Sequence, residues 1–178
     1  MFRRSGSTWT QQGEKLTGGG ESGKSDFGNG VALSSDGNTA LIGGPLDNGE
    51  VGAGWVFRRS GSSWTQQGEK LTGSGESGKG DFGDSVALSS DGNTALIGAP
   101  LDNSEVGAAW VFRRSGSSWT QQGEKLTGSG ERGKGFFGNG VPLSSDGSTA
   151  LIGGPGDNNG VGAAWVFVNS CGVQATAR

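Results

Sequence analysis

Residues Phe82–Pro100 have the sequence FGDSVALSSDGNTALIGAP. The pattern recurs at Phe27–Pro45 (FGNGVALSSDGNTALIGGP) and at Phe137–Pro155 (FGNGVPLSSDGSTALIGGP), so the three copies begin at equal intervals along the chain. These stretches belong to three closely similar repeats, which span about residues 2–56, 57–111 and 112–166. Self-similarity at such a fixed period is the sequence signature of a repeat architecture. Residues 1–170 are therefore predicted to form three repeat units, and residues 171–178 a tail outside the repeat.

The second repeat contains the patterns of four short strands. The predicted strands are Val86–Ser89, Thr94–Gly98, Ala108–Arg113 and Ser118 to about Gln122. Ser90-Asp91-Gly92-Asn93 supplies the residues of a tight hairpin turn between the first two strands. The apolar run Ala95–Ile97 does not alternate, so both faces of the second strand should be buried. The fourth strand is mostly polar, and Leu101–Gly107 is predicted to be a polar loop.

Four antiparallel strands per repeat, with an apolar second strand and a polar fourth, predict the blade of a β-propeller. Blades stack face to face, which buries the inner strands on both sides. A single β-sandwich is the main alternative, but it gives no reason to repeat a four-strand unit so closely. A β-solenoid normally has a shorter period. The expected fold is all-β, with three blades in the chain.

Composition excludes several functional classes. The net charge is −3 with an acidic pI of about 4.9, and basic residues form no run longer than an Arg-Arg pair, so a nucleic-acid partner is not expected. No window is apolar enough to span a membrane, and the first residues lack the apolar segment of a signal peptide. The chain has no histidine, no tyrosine and a single cysteine, Cys171. We therefore expect no disulfide within the chain, no catalytic site and no cofactor.

The segment from Phe82-Gly83 to Gly98-Ala99-Pro100 resembles the FG-GAP repeat, which also builds the propeller of integrin α chains. The closer likeness is to bacterial FG-GAP proteins, and it extends from Phe2 to Phe167. Two copies depart mildly from the pattern because they end in Gly-Gly-Pro. The resemblance implies a β-propeller used for adhesion or binding, usually outside the cell.

Calcium-binding members of that family carry a longer acidic loop between the first two strands. Here the place holds only Ser-Ser-Asp-Gly-Asn, at Ser89–Asn93 and its equivalents. One carboxylate per turn cannot supply the six to eight oxygen ligands that Ca²⁺ takes. No metal site is therefore predicted.

Two sets of residues are candidates for ligand binding. The first is the Asp-Asn pair in the loop before each third strand, where propeller loops gather on one face; turn chemistry is the alternative role for these residues. The second is the tryptophan that begins each outer strand, beside polar residues, where packing between blades is the alternative. The candidates are Asp47, Asn48, Asp102, Asn103, Asp157 and Asn158, with Trp9, Trp64 and Trp119. Trp55, Trp110 and Trp165 lie in apolar strands and are assigned to the core.

Three blades do not close a ring, since propellers have roughly four to eight. We expect a homodimer that completes a six-bladed ring, because a two-fold dimer is the commonest oligomer. The chain begins in mid-repeat, and Thr8 to about Gln12 is predicted to be a lone fourth strand, whereas the last blade, ending with Ala163–Phe167, lacks one. Exchange of this strand between chains would complete the ring. Pro142, which replaces Ala87 of the second repeat, is expected to be tolerated because the first strand has a free edge.

Three functions are compatible with this sequence. The first is a non-enzymatic propeller scaffold whose loop face binds a protein or a glycan. The second is a propeller lectin with sugar sites between blades. The third is a purely structural propeller fragment without a ligand.

Overall fold

The computed structural model describes residues 2–169, which form twelve strands and three short helical segments. The strands are β1 (Phe2–Ser5), β2 (Thr8–Gln11), β3 (Val31–Leu33), β4 (Thr39–Gly44), β5 (Ala53–Ser60), β6 (Ser63–Gln66), β7 (Ser85–Leu88), β8 (Thr94–Ala99), β9 (Ala108–Ser115), β10 (Ser118–Gln121), β11 (Thr149–Gly154) and β12 (Ala163–Val168). The helical segments are α1 (Asp47–Glu50), α2 (Asp102–Glu105) and α3 (Asp157–Gly160). No helix within residues 2–169 is long and apolar enough to cross a membrane.

Two complete four-stranded antiparallel sheets lie at the centre of the chain. In the first blade the strand order is β3-β4-β5-β6, and in the second blade it is β7-β8-β9-β10. Each sheet is a simple meander, as expected for a propeller blade. The third blade consists of β11 and β12, extended by isolated bridges from Gly140 to Gly153 and from Leu143 to Ala150. Strands β1 and β2 pair only with each other and form the N-terminal hairpin.

The predicted strands of the second repeat are confirmed with small shifts in their ends. The turn at Ser90–Asn93 is closed by its own side chains: Ser89 Oγ donates to Asp91 Oδ1 at 2.6 Å, and the Asn93 N–H donates to the same oxygen at 2.9 Å. The third strand continues to Ser115, beyond its predicted end at Arg113. Its last four residues pair with the polar fourth strand.

Each complete blade takes its outer strand from the following sequence repeat. In the first blade, β3 and β4 belong to residues 2–56, β5 crosses into the second repeat, and β6 lies wholly within residues 57–111. The chain therefore passes from the outer strand of one blade to the inner strand of the next. Because of this offset, strand pairing within one blade joins two neighbouring sequence repeats.

The hydrophobic core lies between blades. Leu41 and Val56 of the first blade pack against Ile97 and Trp110 of the second, and all four side chains are almost fully buried. The second strand of the second blade, β8, is buried along its whole length, as its continuous apolar run predicts. Each buried side chain of this size contributes roughly 1.5–3 kcal/mol relative to an exposed one. Stacking of blades is therefore the main source of stability.

The glycines of the repeated motif allow neighbouring blades to touch through their backbones. A Cβ added at Gly98 would overlap the carbonyl oxygen of Gly138 in the third blade, and a Cβ at Gly43 would overlap that of Gly83 in the second. The FG glycine of one blade thus lies against the first glycine of the GAP or GGP sequence in the preceding blade. Only a residue without a side chain fits this approach.

The phenylalanine of the motif has a separate role within its own blade. The rings of Phe82 and Trp110 meet edge to face with centroids 5.4 Å apart, and the indole N–H of Trp110 donates to the Ser74 carbonyl at 2.9 Å. Phe27 and Trp55 form the same pair in the first blade. The prediction that Trp55 and Trp110 belong to the core is confirmed, since both are 0% exposed; Trp165 is half-buried and packs on the cluster between the second and third blades.

The structure corrects two sequence-based predictions. Thr8–Gln11 is not a lone strand, because Phe2–Ser5 pairs with it in the register that β9 and β10 use. The prediction failed because the third strand was ended too early, so that its outer half was not recognised in Phe2–Ser5. The predicted tail, residues 171–178 with Cys171, lies outside the described residues.

The second correction concerns Pro142. The first strand is at the edge of its sheet, as predicted. However, the Leu151 N–H donates to the Pro142 carbonyl at 3.1 Å, which makes these residues a hydrogen-bonded pair. At the equivalent pair of the second blade, the N–H of Ala87 therefore faces Leu96 and not the free edge. Proline removes this ladder bond, and the first strand of the third blade is reduced to two isolated bridges.

Candidate functional site

The loop before each third strand forms a tight turn with a buried aspartate. In α2, Asn103 and Ser104 have φ of 52° and 60°, in the left-handed region. The Asp102 carboxylate is buried, accepts the Ser77 N–H at 2.6 Å and forms an ion pair with Lys125 at 2.5 Å. The predicted polar loop Leu101–Gly107 is therefore anchored at its first acidic residue.

Asp47 repeats this arrangement in the first blade. Its carboxylate is buried, accepts the Ser22 N–H at 2.7 Å and forms an ion pair with Lys70. Asp157 in the third blade is only half-buried and accepts the Arg132 N–H at 2.6 Å. The carboxylates of the first two loops thus face inward and hold the backbone of a neighbouring segment.

The asparagines of the same loops lie on the surface. Asn48, Asn103 and Asn158 are exposed and have nearly identical φ values of 53°, 52° and 51°. Beside two of these tips, Glu50 pairs with Lys79 and Glu105 with Lys134, each at 3.0 Å. The loop face therefore presents the same polar tip at equivalent places on three blades.

The outer-strand tryptophans occupy three different environments. Trp9 is 63% exposed. Trp64 is half-buried against the apolar cluster of the first blade. Trp119 packs on the cluster between the first and second blades, and its indole N–H donates to Gln67 Oε1 at 3.3 Å.

Two equivalent grooves lie beside the half-buried tryptophans. The first rim groove is lined by Gln12–Leu16 together with Ser62, Ser63 and Trp64. The second rim groove is lined by the equivalent residues of the next repeat, Gln67–Leu71, Ser117, Ser118 and Trp119. Each has a volume of about 370 Å³, within the range of small-molecule sites. Each groove combines an aromatic face with amide, carboxylate and hydroxyl groups.

A more apolar groove lies between the second and third blades. It is also about 370 Å³ in volume, and we call it the blade 2–3 groove. Its lining includes Val111, Leu126, Leu143, Ala150, Phe167 and Gln122. Sequence analysis did not predict this groove, because it is formed by residues that are distant in the chain.

Two carboxylates in the segment between β6 and β7 have raised pKa values. Burial, with the Asp102 charge nearby, raises the pKa of Glu76 to about 8. Burial, together with Asp84 and Glu50, raises the pKa of Asp81 to about 6. One oxygen of Glu76 is buried without a hydrogen-bond partner. Among residues 2–169, no three acidic, histidine or cysteine residues form a cluster suited to a metal ion.

Sequence reasoning missed the lysines that hold the buried aspartates. Lys70 and Lys125 each follow their aspartate by 23 residues. This constant spacing is visible in the sequence, but the lysines lie outside the predicted strands and loops, so nothing in the local pattern pairs them with the aspartates. The aspartates of the hairpin turns, in contrast to Asp47 and Asp102, are held by residues close to them in sequence. Hydrogen bonds from Ser34 and Asn38 lower the pKa of Asp36 to about 2, so this carboxylate is already engaged within its own turn.

Stacked four-stranded meanders, with motif glycines between the blades, define a repeat protein of the β-propeller class. Residues 64–112 match the family model of the FG-GAP repeat. The predicted resemblance to the FG-GAP repeat is thereby confirmed for this segment. The match covers the second of the three copies of the pattern.

Comparison with curated protein sequences gives no match. Among solved structures, the chain is similar to TolB from Acinetobacter baumannii, with 12% sequence identity and a TM-score of 0.45. That likeness covers 80% of this chain and 30% of the TolB chain. The chain thus matches less than a third of that protein's length.

Proposed function

We propose that this chain is a non-enzymatic FG-GAP scaffold whose loop face binds a protein or a glycan. The observation that carries the proposal is the repetition of one exposed polar tip, at Asn48, Asn103 and Asn158, on adjacent blades. In the first two blades a buried ion pair fixes the tip, so little conformational entropy is lost when a partner binds. Repeated sites on one scaffold raise the overall affinity through effective concentration.

The test is a comparison of the wild-type chain with the triple variant N48A/N103A/N158A. Both are applied to a glycan array and, as immobilised baits, to proteins from the source organism's surroundings. The proposal expects at least one glycan or protein to be retained by the wild type and lost by the variant. A matched control is S60A/S115A, at exposed serines of the outer hairpins that line neither rim groove. Equal retention by all three chains would place the binding elsewhere and contradict the proposal.

A lectin with sites between the blades is the second candidate, and the two rim grooves favour it. Trp64 and Trp119 occupy equivalent positions beside amide and carboxylate groups, which suits stacking of a sugar ring with hydrogen bonds at its edge. This candidate expects quenching of tryptophan fluorescence by a monosaccharide, with equivalent sites at each complete blade. A glycan array without hits, on protein shown to be folded, would exclude it and favour a purely structural module.

We further propose that two chains close a six-bladed ring. The face of the third blade that points away from the second leaves Leu151 44% and Val166 65% exposed, whereas the equivalent Leu41 and Val56 are buried. The free face of the first blade leaves Val31 67% exposed. Such open apolar faces favour association. The two faces are equivalent to the pair already joined inside the chain, so the last blade of one copy fits the first blade of another.

Gly153 provides a specific test of the ring. A Cβ at Gly153 meets nothing closer than 3.9 Å, whereas the equivalent Cβ at Gly98 would overlap the next blade. In the ring, Gly153 would lie against the partner's Gly28, as Gly98 lies against Gly138. We expect a dimer of twice 17.9 kDa by light scattering at micromolar concentration. Gly153→Ala should give a folded monomer, and a wild-type monomer would refute the ring.

A further inference from the structure

The blade 2–3 groove has an internal counterpart that is filled. The equivalent residues of the preceding repeat, among them Val56, Leu71, Ala95 and Phe112, belong to the cluster between the first and second blades. Trp119 packs against that cluster and donates its indole N–H to Gln67, which is the counterpart of Gln122. The position that the Trp119 indole fills between the first and second blades is thus a groove between the second and third blades.

The repeat spacing identifies which residue belongs in this groove. Trp9, Trp64 and Trp119 are separated by one repeat each, and the next position in the series, 174, is glutamine. In a ring of two chains, the outer strand that follows the third blade is β2 of the partner, because β2 leads into the first blade as β10 leads into the third. Trp9 is the outer-strand tryptophan that is largely exposed, at 63%.

Strand pairing gives the same assignment. Within the second blade, Thr120 pairs with Arg113 and Trp119 with Arg114. The equivalent positions of the third blade are Val168 and Asn169, and both line the blade 2–3 groove. Val168 is exposed at the end of β12, where the other blades continue into a paired outer strand.

We propose that the blade 2–3 groove receives Trp9 of a second copy, whose β2 pairs with β12 as the outer strand of the third blade. This inference rests on the ring proposed above. It also requires an exchange, since β1 of each copy occupies the edge of β2 that β12 needs. The exchange replaces one four-residue ladder by another of similar length and additionally buries Trp9. Phe2 of β1 is already largely exposed, so its release sacrifices little packing.

Two cysteine pairs distinguish the exchanged strand from the intact hairpin. Thr10 is the cross-strand partner of Arg3 within the hairpin and becomes the partner of Val168 in the exchanged dimer. Cross-strand partners have Cα atoms about 4.5–5.5 Å apart, which is within the range of a disulfide. The full chain is prepared as T10C/V168C and as R3C/T10C, each with Cys171→Ser, and oxidised at micromolar concentration.

The exchange predicts that T10C/V168C forms a covalent dimer and that R3C/T10C fails to close an intrachain bond. Adding Trp9→Ala should raise the dimer dissociation constant roughly 10- to 100-fold, as for a buried aromatic at an interface. The exposed position of Trp9 keeps this variant folded as a monomer. Trp9→Phe should recover part of the affinity.

The outcomes separate this inference from the ring itself. A dimer by light scattering, with an intrachain bond in R3C/T10C and no cross-link in T10C/V168C, overturns the exchange and leaves the ring standing. A dimer whose dissociation constant is unchanged by Trp9→Ala overturns the placement of Trp9 in the groove. A wild-type monomer overturns both proposals. Dimerisation only after deletion of residues 170–178 would assign the groove to the chain's own tail and likewise overturn the inference.

Discussion

Gly98→Ala tests whether direct backbone contact between blades controls stability. The added methyl group would lie 2.9 Å from the carbonyl carbon of Gly138, whereas an ordinary contact is 3.4–4 Å, and it would overlap the carbonyl oxygen itself. The φ of Gly98 is outside the left-handed region, so the backbone accepts alanine and only the contact opposes it. The third blade must therefore move away from the second, which opens the apolar cluster between them.

Overpacking of this kind typically costs about 1–3 kcal/mol. The Gly138 carbonyl belongs to the backbone and cannot rotate away, and Ser85 Oγ, which would also lie too close, can turn aside only by giving up its hydrogen bond to that carbonyl. We therefore expect the upper end of that range, about 2–3 kcal/mol. For a chain of this size that corresponds to a fall in Tm of roughly 4–12 °C. The assay is thermal unfolding followed by circular dichroism, at a dilution at which the wild type is monomeric.

Gly153→Ala is the matched control, because the same exchange at the equivalent position meets no blade within the chain. Alanine in a strand is favoured over glycine by roughly 0.5–1 kcal/mol, so this control should unfold at or slightly above the wild-type temperature. Equal unfolding temperatures for the two variants would refute the argument that glycine is required by contact between blades.

Three further variants test other contacts. Lys125→Met should destabilise the chain by about 3 kcal/mol in urea unfolding, because it leaves the buried Asp102 carboxylate without its cation; a loss below about 1 kcal/mol would mean that solvent replaces the lysine. Ala87→Pro should cost about 1–3 kcal/mol relative to Ala87→Ser, because the buried Leu96 carbonyl loses its donor; an unchanged urea midpoint would show that this N–H faces the free edge. Glu76, whose pKa is raised from 4.5 to about 8, is favoured in its protonated form, so its stabilising contribution is present below pH 4.5 and is lost as pH rises to about 8. Glu76→Gln should therefore gain stability relative to the wild type as pH rises through this window, and a constant difference in Tm would contradict the assignment.

Much of the fold could be predicted from local sequence. The constant spacing of the copies, the Asp-Gly turns and the continuous apolar run of Thr94–Gly98 require only period and turn chemistry. These features correctly gave the four-stranded meander and the burial of Trp55 and Trp110. The family resemblance is carried by the same residues, because the motif glycines and phenylalanine are the ones that blade packing requires.

The roles of polar and edge residues could not be predicted in this way. Asp47 and Asp102 were candidates for ligand binding, yet their carboxylates are buried and paired with lysines from the following segment; the exposed Asn48, Asn103 and Asn158 remain candidates. Whether the N–H of Ala87 faces a partner or the free edge depends on the register of two strands. Such pairings are set by contacts between distant segments.

Residue type and period within a single repeat are enough to specify the blade, because strand length, turn position and buried faces follow from them. How the blades meet depends instead on contacts between repeats, namely the approach of Gly98 to Gly138 and the offset between repeats and blades. Among residues 2–169, the interface between the first and second blades holds the indole of Trp119, whereas the interface between the second and third blades contains a groove. The physical reason is that a groove and its occupant come from different blades, and stacking in three dimensions brings them together.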